Sequence, residues 1–158
     1  MCKYLIVPVT DDMICFSLYA ASRATTQAYR KLLEPFDLTY PQYLVLVVLW
    51  NDGEQTVRSL GDFLQLDSGT LSPLLKRMEE AGLIVRERRT GDERVVHVAL
   101  TESAVALRTE LSHIPSRIAA GTGLDGEESG AALLRTLQHL TETMQATAAQ
   151  ADAQGKKD

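Results

Sequence analysis

The stretch that decides the fold is Asp67-Ser68-Gly69-Thr70-Leu71-Ser72-Pro73-Leu74-Leu75-Lys76-Arg77-Met78-Glu79-Glu80-Ala81-Gly82. Its apolar positions recur at helical spacing and predict one buried helix face; they are Leu71, Leu74, Leu75 and Met78. Asp67 or Ser68 is suited to capping the start of this helix, and Gly82 is suited to ending it. Pro73 removes one backbone donor and predicts a local bend.

The segments on either side place this helix in a larger motif. Before it, Thr56 opens a shorter helix with Leu60, Phe63 and Leu64 inward, and residues 65–67 form a tight connection. After it, residues 83–86 and 95–100 predict two strands around a polar hairpin tip at 88–94. Two helices joined by a short turn and followed by a hairpin predict a winged helix-turn-helix that binds double-stranded DNA.

Further helices are predicted outside this motif. The first runs from about Asp12 to Leu33, with Asp11 or Asp12 as its cap. Thr39 and Gln42 form a capping box before the apolar run 43–50, which composition alone would also allow as a buried strand. Thr101 caps a helix to about position 120, and a last helix runs from about 126 to 149. The predicted fold class is therefore mainly α, with long helices at both ends and a two-stranded β wing.

Polar side chains outside the apolar stripe are the candidate DNA contacts. In a helix-turn-helix the second helix enters the major groove, and hydroxyl, Lys and Arg side chains reach base edges and phosphates. The candidates on the helix are Ser68, Thr70, Ser72, Lys76 and Arg77. At the wing, Arg94 is suited to the minor groove, with Arg88 and Arg89 nearby. The alternative is a solvated helix face beside an ordinary surface hairpin.

Composition permits this function without demanding it. The 158 residues carry a net charge of −5, and residues 58–97 hold seven basic and seven acidic side chains. No apolar run reaches the roughly 20 residues of a membrane span, and no secretion signal is evident, so a cytoplasmic protein is expected. The two cysteines and three histidines show no paired ligand spacing, so we expect neither a metal site nor a structural disulfide.

Two groups of residues resemble the MarR family of winged-helix regulators. The family-wide group is the stretch 67–79, then Gly82-Leu83-Ile84, Asp92-Glu93-Arg94 and Leu100-Thr101. The more specific group resembles the branch that senses organic hydroperoxides, the OhrR type; it is Cys15-Phe16-Ser17-Leu18-Tyr19-Ala20-Ala21-Ser22-Arg23 with Leu38-Thr39-Tyr40-Pro41-Gln42-Tyr43-Leu44. The similarity covers about residues 12–115.

The resemblance implies a homodimeric repressor of a pseudo-palindromic operator. A two-fold dimer also fits the physics, because one recognition helix covers only a half-site. The expected division is a flexible N-terminus at 1–11, a helical dimerisation region at 12–55 and 101–150, a winged-helix DNA-binding region at 56–100 and a disordered tail at 151–158.

The resemblance also implies that Cys15 is a redox sensor. Tyr29 lies fourteen residues from Cys15, or about 21 Å along a straight helix, so contact requires a second, antiparallel copy. The family pattern assigns the thiol contacts to Tyr29 and Tyr40 of that copy, with Tyr19 as a third lining residue. Phenol hydroxyls near the sulfur favour its charged form, and an organic hydroperoxide oxidises it to a sulfenic acid. An apolar surround, for which Phe16, Leu18, Phe36 and Tyr43 are candidates, would favour organic peroxides over hydrogen peroxide.

Cysteine usage places the chain with the one-cysteine members of this branch. No cysteine follows Cys15, so release of DNA would need a mixed disulfide with a low-molecular-weight thiol, or over-oxidation. Cys2 is a departure from the pattern that leaves a second resolving route open. No cofactor is implied.

Two other functions stay open at this point. One is a MarR-type repressor released by a small aromatic ligand, with Cys15 incidental. The other is a thiol peroxidase enzyme, which the winged-helix order argues against.

Overall fold

The computed structural model describes residues 13–88 and 95–155, without the side chains of 152 and 155. Its helices are α1 (Ile14–Leu33), α2 (Tyr40–Asp52), α3 (Val57–Leu64), α4 (Ser68–Glu80), α5 (Glu102–Glu110), α6 (Ile114–Gly121) and α7 (Gly126–Gly155). Its strands are β1 (Gln55–Thr56), β2 (Ile84–Arg88) and β3 (Val96–Leu100), with short 3-10 turns at Glu34–Phe36 and Leu111–His113. The chain forms two compact units, Met1–Ile118 and Ala119–Asp158.

The apolar run after Thr39 is a helix, as the capping signature predicted. The Gln42 side-chain oxygen accepts hydrogen bonds from the Thr39 backbone N–H at 2.8 Å and from the Thr39 hydroxyl at 2.9 Å. Val45, Leu46 and Leu49 of α2 are buried in the core of the first unit. A buried helix that is apolar on nearly every side shows no helical period in its apolar residues. For this reason the composition of the segment alone also allowed a buried strand.

The sequence stretch 67–82, quoted first above, forms α4, and the predicted apolar face of this helix is buried. The Asp67 carboxylate caps the helix by accepting from the Thr70 backbone N–H at 2.8 Å. Gly82 has φ +68°, and the Leu83 N–H donates to the Met78 carbonyl at 2.9 Å, which closes the C-terminal turn. The helix is continuous through Pro73, which lies in its first half. The predicted cap, inner face and stop of this helix are confirmed.

The wing has the two predicted strands and a third strand that was not expected. The sheet order is β1-β3-β2, with every pair antiparallel; Arg86 of β2 and Gln55 of β1 both lie opposite Val98. Thr56 was predicted to open a helix, and it does cap α3, because its hydroxyl accepts from the Ser59 backbone N–H at 3.0 Å; no prediction was made for Gln55. Two residues are too few to show a strand period, so the sequence carried no signal for β1.

Three helix boundaries differ from the predictions. Met13, not Asp11 or Asp12, is the N-cap of α1, and those two aspartates lie outside the described residues. The helix predicted from Thr101 to about 120 is interrupted by the turn at Leu111–His113 because Pro115 has no N–H to donate to the Leu111 carbonyl. Helix α7 continues to Gly155, so residues 151–155 are helical where a disordered tail was predicted.

In the described ranges, no helix combines the length and apolarity needed to cross a lipid bilayer.

Candidate functional site

The predicted DNA-contacting residues of α4 lie outside its buried apolar face. Ser68, Thr70, Ser72, Lys76 and Arg77 are all exposed. Thr70 is partly engaged in the helix cap, because its hydroxyl donates to the Asp67 carboxylate at 3.2 Å. These bonds from Thr70 lower the pKa of Asp67, so the cap stays charged at neutral pH. These residues can therefore present hydroxyl oxygens and two cations to a ligand.

Arg86 of β2 has an ion-pair partner on α4. Arg86 donates from Nη2 to Glu79 Oε2 at 2.6 Å and from Nε to the same oxygen at 2.9 Å. The hydrogen bonds from Arg86 lower the pKa of Glu79. This ion pair ties β2 to α4 and fixes how the wing stands against the recognition helix. Arg86 and Glu79 were not predicted as partners, because Glu79 lies on α4 and Arg86 on β2, so no spacing within a single helix or strand links them.

Arg88, predicted as a wing contact, is exposed at the end of β2. Arg89 and Arg94, the other two wing predictions, lie outside the described residues, as does Cys2. A groove of about 770 Å³ lies between α3, the start of α4 and the wing strands. Its lining includes Arg58, Asp62, Ser68, Ser72, Arg86 and Arg88.

Cys15 is exposed at the start of α1. The surrounding helix surface is unusually apolar for an exposed one: Ile14 is 73% exposed, Phe16 41% and Tyr19 57%. The Tyr19 hydroxyl accepts a hydrogen bond from Arg23 Nη1 at 2.9 Å. Since that bond uses an oxygen lone pair, the Tyr19 O–H proton stays free to point to another acceptor.

Three phenols form a tyrosine cluster, Tyr29, Tyr40 and Tyr43, where the C-terminal half of α1 meets α2. Tyr29 and Tyr40 stack with ring centroids 4.1 Å apart and an interplanar angle of 21°. Tyr43 tilts against Tyr29 at 5.8 Å. Burial, the largest cause, raises the pKa of all three phenols. The cluster therefore holds its hydroxyl protons and stays a set of neutral donors across physiological pH.

Trp50 extends this cluster along α2. Its ring meets Tyr43 edge-on at 6.2 Å, and its Nε1 donates to the Ala104 carbonyl of α5 at 2.9 Å. Trp50 was not among the residues predicted for the site. The signal was present, because Tyr43 and Trp50 are seven residues apart and so share one face of a helix.

One chain does not bring the thiol and the phenols together. Cys15 and Tyr29 both lie on the uninterrupted helix α1, which separates them by about 21 Å along its axis. Tyr40, stacked on Tyr29, is held at the same end of the helix. Of the three tyrosines predicted to contact the sulfur, only Tyr19 lies at the same end of α1 as Cys15.

Comparison with known proteins gives three similarities. A family model described as transcriptional regulator SarA/Rot matches residues 27–111. The organic hydroperoxide resistance transcriptional regulator of Bacillus subtilis strain 168 is 46% identical over 118 residues, which cover 75% of this chain and 80% of that protein. Solved structures of AbfR bound to DNA in reduced and in overoxidized form are each 36% identical, with TM-scores of 0.70 and 0.69, covering 83% of this chain and 91% of theirs. AbfR is from Staphylococcus epidermidis.

The match to the family model runs from the second half of α1 to the start of the turn that follows α5. It therefore includes the tyrosine cluster, both helices of the helix-turn-helix motif and both wing strands.

Proposed function

Because this chain belongs to the MarR/SarA-type winged-helix transcriptional regulators, we propose that it is a homodimeric repressor that senses organic hydroperoxides through Cys15. The observation that carries the proposal is the separation of the exposed Cys15 thiol, near the start of α1, from Tyr29 near the end of the same helix, where Tyr29 stacks on Tyr40 of α2 and both phenols are half-buried. Each chain therefore carries the thiol near one end of α1 and the phenols near the other end. Two antiparallel copies of α1 would complete two sensors.

The exposed apolar surface of α1 supports a dimer. Ile14, Phe16 and Tyr19 leave much of their area uncovered in the single chain, and burying it against a second copy is favourable. The second unit has the same character, with Leu133, Leu134, Leu137 and Met144 exposed along α7. We assign dimerisation to the helical regions 12–55 and 101–150, and DNA binding to residues 56–100.

The sensing reaction follows ordinary thiol chemistry. The Cys15 thiolate attacks the distal oxygen of the hydroperoxide, the O–O bond breaks, and the alkoxide leaves as an alcohol after taking a proton. The product is a sulfenic acid. A low-molecular-weight thiol then condenses with it, forming a mixed disulfide and releasing water. Hydroxyls of Tyr29 and Tyr40 from the second chain, with Tyr19, would donate to the thiolate and favour the reactive charged form.

Release of DNA follows from added bulk at the sulfur. A mixed disulfide cannot keep the phenol contacts of a bare sulfur, so the α1 helices shift and the two copies of α4 lose the spacing of their half-sites. AbfR has been solved on DNA in its overoxidized form, so over-oxidation leaves that relative able to bind. We therefore favour the mixed disulfide as the releasing species here.

In the DNA complex, α4 would enter the major groove of each half-site. Ser68, Thr70, Ser72 and Arg77 would meet base edges, and Lys76 and Arg88 would meet phosphates. Arg89 and Arg94 would continue the wing contact. Such a repressor works in the cytoplasm, where its operator lies.

The test uses a duplex selected by the wild-type protein from a random-sequence pool. Wild-type protein should bind it, and cumene hydroperoxide with free cysteine should release it. Cys15→Ser should bind equally well and ignore the peroxide, whereas normal release of that variant would refute thiol sensing. Release by a small aromatic acid in both proteins would favour ligand control. Peroxide consumption beyond one equivalent per chain would favour a peroxidase.

A further inference from the structure

Beyond two serines of α4 that are predicted to contact DNA, the groove between α3, the start of α4 and the wing is lined by residues of α3 and of the wing strands. Its lining includes Ser68 and Ser72 of α4, Arg88 of β2 and Arg58 of α3. Val57, Val95 and Val96 add apolar surface. The groove thus combines cations with apolar walls, in a protein with a net charge of −5.

The position of the groove determines which part of a bound DNA duplex would face it. A recognition helix enters the major groove, while a wing reaches the neighbouring minor groove. A single sugar–phosphate strand separates those two grooves of the duplex. The protein surface between helix and wing must therefore face that strand.

We propose that this groove seats the sugar–phosphate strand, and that Arg58 contacts its phosphates together with Arg88. The inference rests on the proposed DNA-binding function and adds Arg58 to it. Both arginines are exposed, and phosphate contacts from such side chains position a protein on DNA without reading sequence. The valines face the deoxyribose rings.

Arg86 has a different task in the same groove. Its Nε and Nη2 atoms both donate to Glu79 at 2.9 and 2.6 Å, so its charge is balanced within the protein. Arg86 is a positioning residue that holds β2, and with it Arg88, against α4.

Asp62 provides a second variant, for which the opposite change in DNA affinity is expected. It lies one helical turn after Arg58 on α3 and also lines the groove. A carboxylate there repels a phosphate strand. Removing the Asp62 charge should tighten binding to any duplex, while removing the Arg58 charge should weaken it.

The experiment measures affinity by fluorescence anisotropy over a range of salt concentrations. Two duplexes are used: the one selected by the wild-type protein and a mixed-sequence duplex of the same length. The variants are Arg58→Gln and Asp62→Asn. The control is Lys31→Gln, which removes a cation from α1 that is 70% exposed and paired with Glu34 at 3.2 Å. Circular dichroism and thermal midpoints confirm that each variant is folded.

Arg58→Gln should weaken binding to both duplexes by the same factor. It should also flatten the slope of log affinity against log salt by about 0.9 per protomer, or about 1.8 for a dimer. Asp62→Asn should tighten binding to both, and Lys31→Gln should match wild type.

A salt slope for Arg58→Gln equal to that of Lys31→Gln would refute the proposed contact of Arg58 with phosphate. Loss confined to the selected duplex would also overturn it, because that result indicates base reading. If wild-type protein binds neither duplex, the proposed function itself fails, and the two failures are thus distinguishable.

Discussion

The most specific prediction from the proposed thiol sensor concerns Tyr29. Tyr29→Phe keeps the ring that stacks on Tyr40 at 4.1 Å and removes only the hydroxyl. A hydrogen bond to a charged group is worth about 1.5–3 kcal/mol, which corresponds to about tenfold to a hundredfold in the population it stabilises. We therefore expect oxidation of Cys15 by cumene hydroperoxide to slow by about that factor, while the thermal midpoint changes little.

The assay follows the second-order loss of the Cys15 thiol by mass spectrometry after timed quenching. Tyr29→Ala is the companion variant, because it also removes ring contacts with Tyr40 and Tyr43, each worth about 0.5–1.5 kcal/mol. It should slow oxidation and destabilise the protein together. Oxidation of Tyr29→Phe at the wild-type rate would refute the role of the phenol. If wild-type protein keeps its faster oxidation, and hence its difference from Tyr29→Phe, when both are diluted below the dimer dissociation constant, supply of the phenol by a second chain is refuted.

Three further outcomes are expected from the fold. Leu75→Ala empties a fully buried site under α4 and should cost about 3–5 kcal/mol in urea unfolding, whereas Ser72→Ala on the exposed face should change stability by less than about 0.5 kcal/mol. Trp50→Phe removes the indole N–H that donates to the Ala104 carbonyl and should cost about 0.5–1.5 kcal/mol by the same measurement. Because burial raises the pKa of the tyrosine cluster above the ordinary 10.0, the folded state holds those protons more tightly than the unfolded state. The stability from this source is present below about pH 10 and lost as pH rises beyond it, so urea midpoints should fall from pH 9 to pH 11, and a flat profile would contradict the burial.

The recognition helix was predictable because each of its signals is local. Asp67, the apolar stripe and Gly82 all act within one or two turns of the chain, and the structure places each in its predicted role. The separation of Cys15 from Tyr29 was likewise predictable from helix rise alone.

The features that escaped prediction depend on tertiary contacts or on single residues. The partnership of Glu79 with Arg86 exists only after β2 folds back along α4. The two residues of β1 pair with a strand more than forty positions later. Pro115 did carry a local signal, but it acted against an otherwise helical pattern and ended α5 early.

Trp50 also equips the protein for optical study. It is the only tryptophan in the chain, its ring lies against Tyr43, and its N–H is anchored on Ala104 of another helix. Its emission therefore comes from a single defined place beside the phenols that would meet the oxidised sulfur. Unlabelled protein should thus report movement at the sensor as a change in fluorescence, on the millisecond scale of a rapid-mixing experiment and with no attached dye.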